Sequence, residues 1–206
     1  MAIKEVKLEA LCDVSMDDFS TFGRIIGRDE MELKDKVAQG PHSRHPAVDT
    51  DRIRAYWDIY DLRGETGNLS DLGTLYLRPK KPGELVDWTE RHQKTYEMFF
   101  PMAGQFVFVL NPPDNSKRAP DIEKTRAFLI GPYEGVCLWK GTWHYPPFTL
   151  GGTTIVFMYR IGNLGTVVCS EETPCPLYQE GETMCLKTDW YGGEWTKDEF
   201  LIKLIV

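Results

Sequence analysis

From about Asp51 onward the chain alternates short apolar or aromatic runs with compact turn signals. The runs are "RAYWDIYDL", "GTLYLR", "YEMFFPM", "QFVFVL", "RAFLI", "VCLW", "TIVFMYRIG", "TVVCS" and "EFLIKLIV". Between them lie "RPKKPG", "NPPDNSKRAPD", "GPYEG", "KGTW", "PPFTLGG" and "YGG", rich in the residues that set turn geometry. Short runs of this kind, closely spaced, predict an all-β sandwich or barrel. No strong helical periodicity interrupts the series between Gly73 and Val168.

The first fifty residues read differently. In "SMDDFSTFGRII", Ser15 followed by Asp18 forms a weak capping box, which predicts a short helix ahead of an apolar strand end. The run "GRDEMELKDKVAQG" has little apolar content and reads as a solvated helix or loop. The last thirty-odd residues are more polar and acidic than the middle, and are expected to add strands to a sheet edge or to cover it. At 206 residues, with 42% hydrophobic content, the chain is long enough for one domain with a sizeable core. The expected organisation is a single domain, 1–206, with its core at about 50–170, a helix and loop region at 1–50 and a C-terminal elaboration at 171–206.

Charge narrows the partners. A formal net charge of -7 argues against nucleic acid, which needs a clustered excess of Lys and Arg. Small molecules or other proteins are the better partners. The start, "MAIKEVKLEALCDV", has no long uncharged apolar stretch, and no run approaches a membrane span, so no membrane partner and a cytoplasmic location are expected. The five cysteines, Cys12, Cys137, Cys169, Cys175 and Cys185, form no C-x-x-C pair and are expected to be reduced.

Against this background one segment stands out. In "WTERHQKTYEMFFPMAG", Glu90 and His92 are two apart and project from the same side of any strand that runs through them, and Glu97 follows five residues after the histidine. A solvated strand face is the ordinary explanation of such a pair. His144, in "LWKGTWHYPPF", is distant in sequence but within reach if strands fold back as a barrel, whose interior can converge N and O ligands on a divalent cation. A packed structural histidine is the alternative there. His42 and His45 lie in a Pro- and Gly-flanked loop, expected near a pocket mouth. Arg126 and Arg160 head or end apolar strands and need a partner if they point inward, whether a rim carboxylate or a substrate; Arg78 is a weaker candidate of the same type. Lys140 and Tyr145 flank His144 and are candidate proton carriers, a solvated lysine and a packed tyrosine being the plainer readings.

The spacing resembles that of the cupins, small β-barrels with two metal-binding motifs. The first has the form H-x-H-x4-E-x6-G, and Glu90, His92, Glu97 and Gly104 fall on its positions with Glu90 in place of the first histidine. The second, roughly P-x-G-x2-H, is matched by Gly141 and His144, with Trp139 where the proline would be. Within the cupins the chain resembles the ureidoglycolate lyase family. It carries "ERH" at Glu90 to His92, "FFPMAG" at Phe99 to Gly104, "PDIEKTRAFLIGPYEGV" at Pro120 to Val136 and "GTWHYPP" at Gly141 to Pro147, in family order from about Phe22 to Gly162. It departs from the family at two places, where a glutamine is usual at Glu97 and a second histidine at Tyr145.

The resemblance implies a jelly-roll β-barrel with one divalent metal ion, zinc, manganese, iron or nickel, held by Glu90, His92, Glu97 and His144. It implies a small carboxylate substrate gripped by Arg126 or Arg160, where the family also has arginines, with Arg78 the weaker candidate from its strand position, and it leaves Glu97, Tyr145 and Lys140 as the candidate proton carriers. The type reaction is the cleavage of ureidoglycolate to glyoxylate and urea. Two alternatives stand beside it: an isomerase, epimerase or lyase of sugar acids that uses Glu97 as a base, and a cupin that binds a small ligand without turning it over. Pairing through sheet edges, with "FLIKLIV" as the element, predicts a homodimer.

Overall fold

A computed structural model describes residues 3–27, 48–49, 54–55, 70–81, 83–87, 89–92, 96–113, 120–161, 183–186 and 201–206. In chain order the strands are β1 (Lys4–Ala10), β2 (Gly23–Ile26), β3 (Val48–Asp49), β4 (Arg54–Ala55), β5 (Ser70–Leu77), β6 (Thr89–His92) and β7 (Tyr96–Ala103). They continue with β8 (Phe106–Asn111), β9 (Arg126–Ile130), β10 (Gly135–Leu138), β11 (Trp143–His144), β12 (Thr154–Ile161), β13 (Thr183–Leu186) and β14 (Ile202–Ile205). The single α-helix among the described residues, α1 (Met16–Phe19), begins where Ser15 caps it. Ser15 Oγ accepts from the Asp18 amide at 3.1 Å while its hydroxyl donates to the Asp18 carboxylate at 2.7 Å.

Two sheets face each other. One has the order β13-β6-β11-β8-β9-β1-β14 and the other the order β2-β10-β7-β12-β5, so the all-β jelly-roll expectation holds. The C-terminal strands occupy both edges of the larger sheet. The first strand was not evident in the sequence. Its alternation of Val6, Leu8 and Ala10 with charged residues serves parallel pairings, to β14 along Lys4–Lys7 and to β9 along Leu8–Ala10.

β8 explains how one strand serves two packed layers. All six of its residues are buried, and their side chains alternate. Phe106, Phe108 and Leu110 enter the space between the sheets with Phe99, Val136, Leu138 and Val156 of the smaller sheet. Val107 and Val109 point the other way, beneath Val86, Tyr145, Phe148 and Ile202. Strands buried on both faces give a continuous apolar run, which is why "QFVFVL" shows no alternation. Within the core, edge-to-face pairs join Phe99 to Phe108 at 4.7 Å and Phe19 to Phe128 at 5.1 Å, each pair worth about 0.5–1.5 kcal/mol beyond area burial. Among the described residues no helix is long and apolar enough to cross a membrane.

Candidate metal centre

β6 and β11 are neighbours in the larger sheet, and His144 is the register partner of Glu90. Paired residues of an antiparallel sheet share a face, and Glu90 and His92 share theirs by alternation, so all three converge. Next to them, His144 pairs with Leu110 of β8, which belongs to the core between the sheets; that face is therefore the interior. One ligand atom from each of Glu90, His92 and His144 lies within 4.8 Å of the others. Across the interior, β7 of the smaller sheet delivers Glu97.

The two Glu97 oxygens divide between the imidazoles. Oε1 is 3.4 Å from His92 Nε2 and Oε2 is 3.2 Å from His144 Nε2, while Glu90 Oε1 lies 3.6 Å from His144 Nε2. The imidazole rings are 5.5 Å apart. Glu97 is 4% exposed, His144 3% and His92 7%, so little water screens these three, while the Glu90 side chain is 23% exposed and opens the cluster to solvent on its side. The four side chains singled out by the spacing of the sequence thus meet in one cluster, buried except at Glu90.

The protonation of His144 follows from its surroundings. Its Nδ1 lies 3.2 Å from the Thr142 carbonyl oxygen, which can only accept, so Nδ1 carries a hydrogen. Nε2 then faces two carboxylates. Burial acts most strongly on the ring and favours the neutral form, but the Glu90 and Glu97 carboxylates outweigh it and push His144 up to about 9. Glu97 Oε2 makes no hydrogen bond although it is buried. A carboxylate oxygen set against a ring nitrogen in a dry site calls for a cation between them, whether a proton or a metal. Two imidazoles with carboxylates are a donor set suited to a borderline divalent ion, so the residues fit such a group.

The remaining sequence candidates fall elsewhere. Tyr145 lies on the strand face opposite His144, packed on Phe148, with its hydroxyl accepting from Lys80 Nζ at 3.2 Å. The packed-tyrosine reading replaces the proton-carrier one. Lys140 rests its Nζ 5.0 Å over the Tyr96 ring, and Tyr96 packs on the outer face of the smaller sheet while Glu97 points inward. Arg78 is exposed and follows the end of β5 away from the Asp71–Arg160–Glu97 row, seven residues or roughly 23 Å along a strand from Asp71. A grip on a substrate held at Glu97 is beyond its reach.

Arg126 is the instructive case. Through Leu110 it stands in the same register row as His144 and Glu90, two strands or roughly 10 Å from His144. Its guanidinium is already engaged, donating to both carboxylate oxygens of Glu9 at 2.8 and 2.7 Å and lying over the Phe128 ring at 4.9 Å. The rim ion pair is therefore what the structure contains, and Arg126 has no free fork for a substrate. Arg160 is the register partner of Glu97, and its side chain lies outside the described residues, as do His42 and His45.

Two elements of the site carry no sequence signal of their own. Glu9 engages Arg126 from 117 positions away. Thr142 reaches His144 through its backbone, which any residue type possesses.

Comparison with known proteins gives a single direction. The family model described as ureidoglycolate lyase matches residues 4–172. A ureidoglycolate lyase of Pseudomonas savastanoi pv. phaseolicola is 37% identical over 66 residues, which cover 32% of this chain and 37% of the relative. The Schizosaccharomyces pombe ureidoglycolate lyase is 21% identical over 178 residues, covering 79% of this chain and 87% of that one. Among solved structures, dTDP-4-dehydrorhamnose 3,5-epimerase from Sulfolobus tokodaii matches 66% of the chain and 65% of its own at a TM-score of 0.39 and 10% identity. A likeness that partial carries no functional weight.

Proposed function

The chain belongs to the ureidoglycolate lyase family, and on that premise we propose that it is a metal-dependent lyase for a small α-hydroxy carboxylic acid, with ureidoglycolate to glyoxylate and urea as the type reaction. The observation that carries the reading is Glu97. It is a buried carboxylate with one oxygen against each imidazole and one of them without a hydrogen bond.

In this reading Glu90, His92 and His144 hold one divalent ion. When bound, the ion supplies a positive charge that acidifies the substrate hydroxyl and steadies the developing oxyanion. Glu97 is then placed to take the hydroxyl proton. The C–O bond becomes a carbonyl as the carbon–nitrogen bond breaks, its electron pair leaves on the urea nitrogen, and Glu97 returns the proton to that nitrogen. Atoms and charge balance without an oxidant. Of the three arginines, Arg160 is the remaining candidate for the substrate carboxylate, on the strength of its register opposite Glu97.

A second reading shares the site. Glu97 stands where a glutamine is usual, and a carboxylate can abstract a carbon-bound proton where an amide cannot, which favours isomerisation or epimerisation of a sugar acid. A cupin that binds its small ligand without turnover is the third. A substrate panel read by glyoxylate release, urea release and proton exchange separates them, with Glu97→Gln alongside wild type. Glyoxylate and urea in equal amounts, lost in the variant, support the lyase. Exchange without cleavage supports the isomerase, and neither supports the binding protein. We further place the protein in the cytoplasm as a homodimer; fractionation and light scattering decide both.

A further inference from the structure

We infer that Thr142 is the positioning residue for the His144 half of the site, fixing the ring so that Nε2 faces the carboxylates. The turn that precedes His144 is tied down on both sides. Toward the N-terminal segment, the Trp139 amide donates to the Phe22 carbonyl at 3.0 Å and the Trp139 indole donates to the Ser20 carbonyl at 2.7 Å. Toward β6, the Gly141 amide donates to the His92 carbonyl at 2.7 Å, from a φ of 83° that favours glycine. The same turn thus links the backbones of both histidine segments.

Thr142 sits at the centre of these ties. Its amide donates to the Trp139 carbonyl at 3.0 Å and its hydroxyl to the Phe22 carbonyl at 2.7 Å, and it is 2% exposed. With amide and side chain both anchored, the orientation of its own carbonyl is fixed, and that carbonyl meets His144 Nδ1. Outer partners of this kind set which ring nitrogen is offered to a ligand. The hydroxyl can be removed cleanly, because the Phe22 carbonyl still accepts from the Trp139 amide and is not left unpaired. A residue with only a packing role would change stability and leave His144 alone.

The inference rests on the metal reading for one readout and is independent of it for the other. Wild type, Thr142→Val and Thr142→Ser are compared by zinc titration against a competing chelator, and by solvent exchange of the His144 Nδ1 proton followed by NMR in metal-free protein. Val, which keeps the carbonyl and removes only the hydroxyl that anchors it, is expected to weaken zinc binding by up to about 10-fold, the lower end of the range for changes to an outer partner itself, and to speed exchange of the Nδ1 proton. Ser, which keeps the hydroxyl, is expected to restore both. Wild-type affinity and wild-type exchange in folded Thr142→Val overturn the proposal. If Val does not fold, Thr142→Ala removes the same hydroxyl and is read in the same way. Wild type that takes up neither zinc nor manganese, iron or nickel refutes the metal reading alone, and the exchange comparison then decides the role of Thr142.

Discussion

Replacing Gly23 by alanine connects the fold to the site through one atom. A Cβ at this position would stand 2.1 Å from the Cys137 carbonyl oxygen and 3.0 Å from both the Cys137 carbonyl carbon and the Leu138 Cα, all of them backbone. An ordinary carbon–oxygen contact needs more than 3 Å, so β2 must withdraw from β10 by about 1 Å, a strain that no side-chain rotation relieves. The residue before it, Phe22, accepts from the Trp139 amide at 3.0 Å and the Thr142 hydroxyl at 2.7 Å, and a shift of that size breaks both bonds. Two bonds at about 1 kcal/mol each, with about 1–2 kcal/mol for the disturbed strand pairing and packing, give a loss of roughly 3–4 kcal/mol. For a chain of this length that lowers Tm by about 6–16 °C. Thermal melts followed by circular dichroism measure it, and metal titration of the folded variant at low temperature should show weaker binding as the Thr142 anchor loosens. Gly23→Ala with wild-type Tm and wild-type metal affinity refutes both the steric reasoning and the link from β2 to His144.

Three further outcomes are expected. Glu9→Gln should cost only about 1 kcal/mol, because the pair with Arg126 is about one-third exposed on each side, and should leave metal content unchanged; denaturant melts and elemental analysis check this. In the folded protein, alkylation mapped by mass spectrometry should modify exposed Cys12 and spare Cys137, whose thiol burial pushes up to about 12. Since that value lies above the ordinary thiol range, the stability that depends on neutral Cys137 is complete below pH of about 8.5 and declines as pH rises from there toward 12; Cys137→Ala should show a shallower decline in alkaline melts. Tyr145→Phe should keep kcat within about twofold, because the hydroxyl serves Lys80 on the opposite strand face, and a large loss of turnover would restore Tyr145 to the chemistry.

How much of this was legible in the sequence depends on the range of the interaction. Alternation along β6 was enough to put Glu90 and His92 on one face, and the cap at Ser15 was enough to start α1, because both are local. The meeting of His144 with that face needed a register 54 residues apart, which spacing alone could suggest but not fix. Arg126 shows the limit. Its residue type and strand position suit either a substrate or an ion pair, and the choice is made by Glu9 on a strand whose parallel pairing no short-range pattern announces. For Tyr145 the packed reading prevails for a simpler reason: a residue adjacent to His144 in an extended chain turns to the opposite side, here onto Phe148.

The central claim is that Glu90, His92 and His144 hold a divalent ion. Elemental analysis of purified wild type beside His92→Ala and His144→Ala tests it most directly. Close to one divalent ion per chain in wild type, lost in both variants while they remain folded, is the expected result. Wild type that is metal-free and stays so after incubation with zinc, manganese, iron and nickel would contradict it, and would leave the cluster as a proton-bridged pair of histidines and carboxylates.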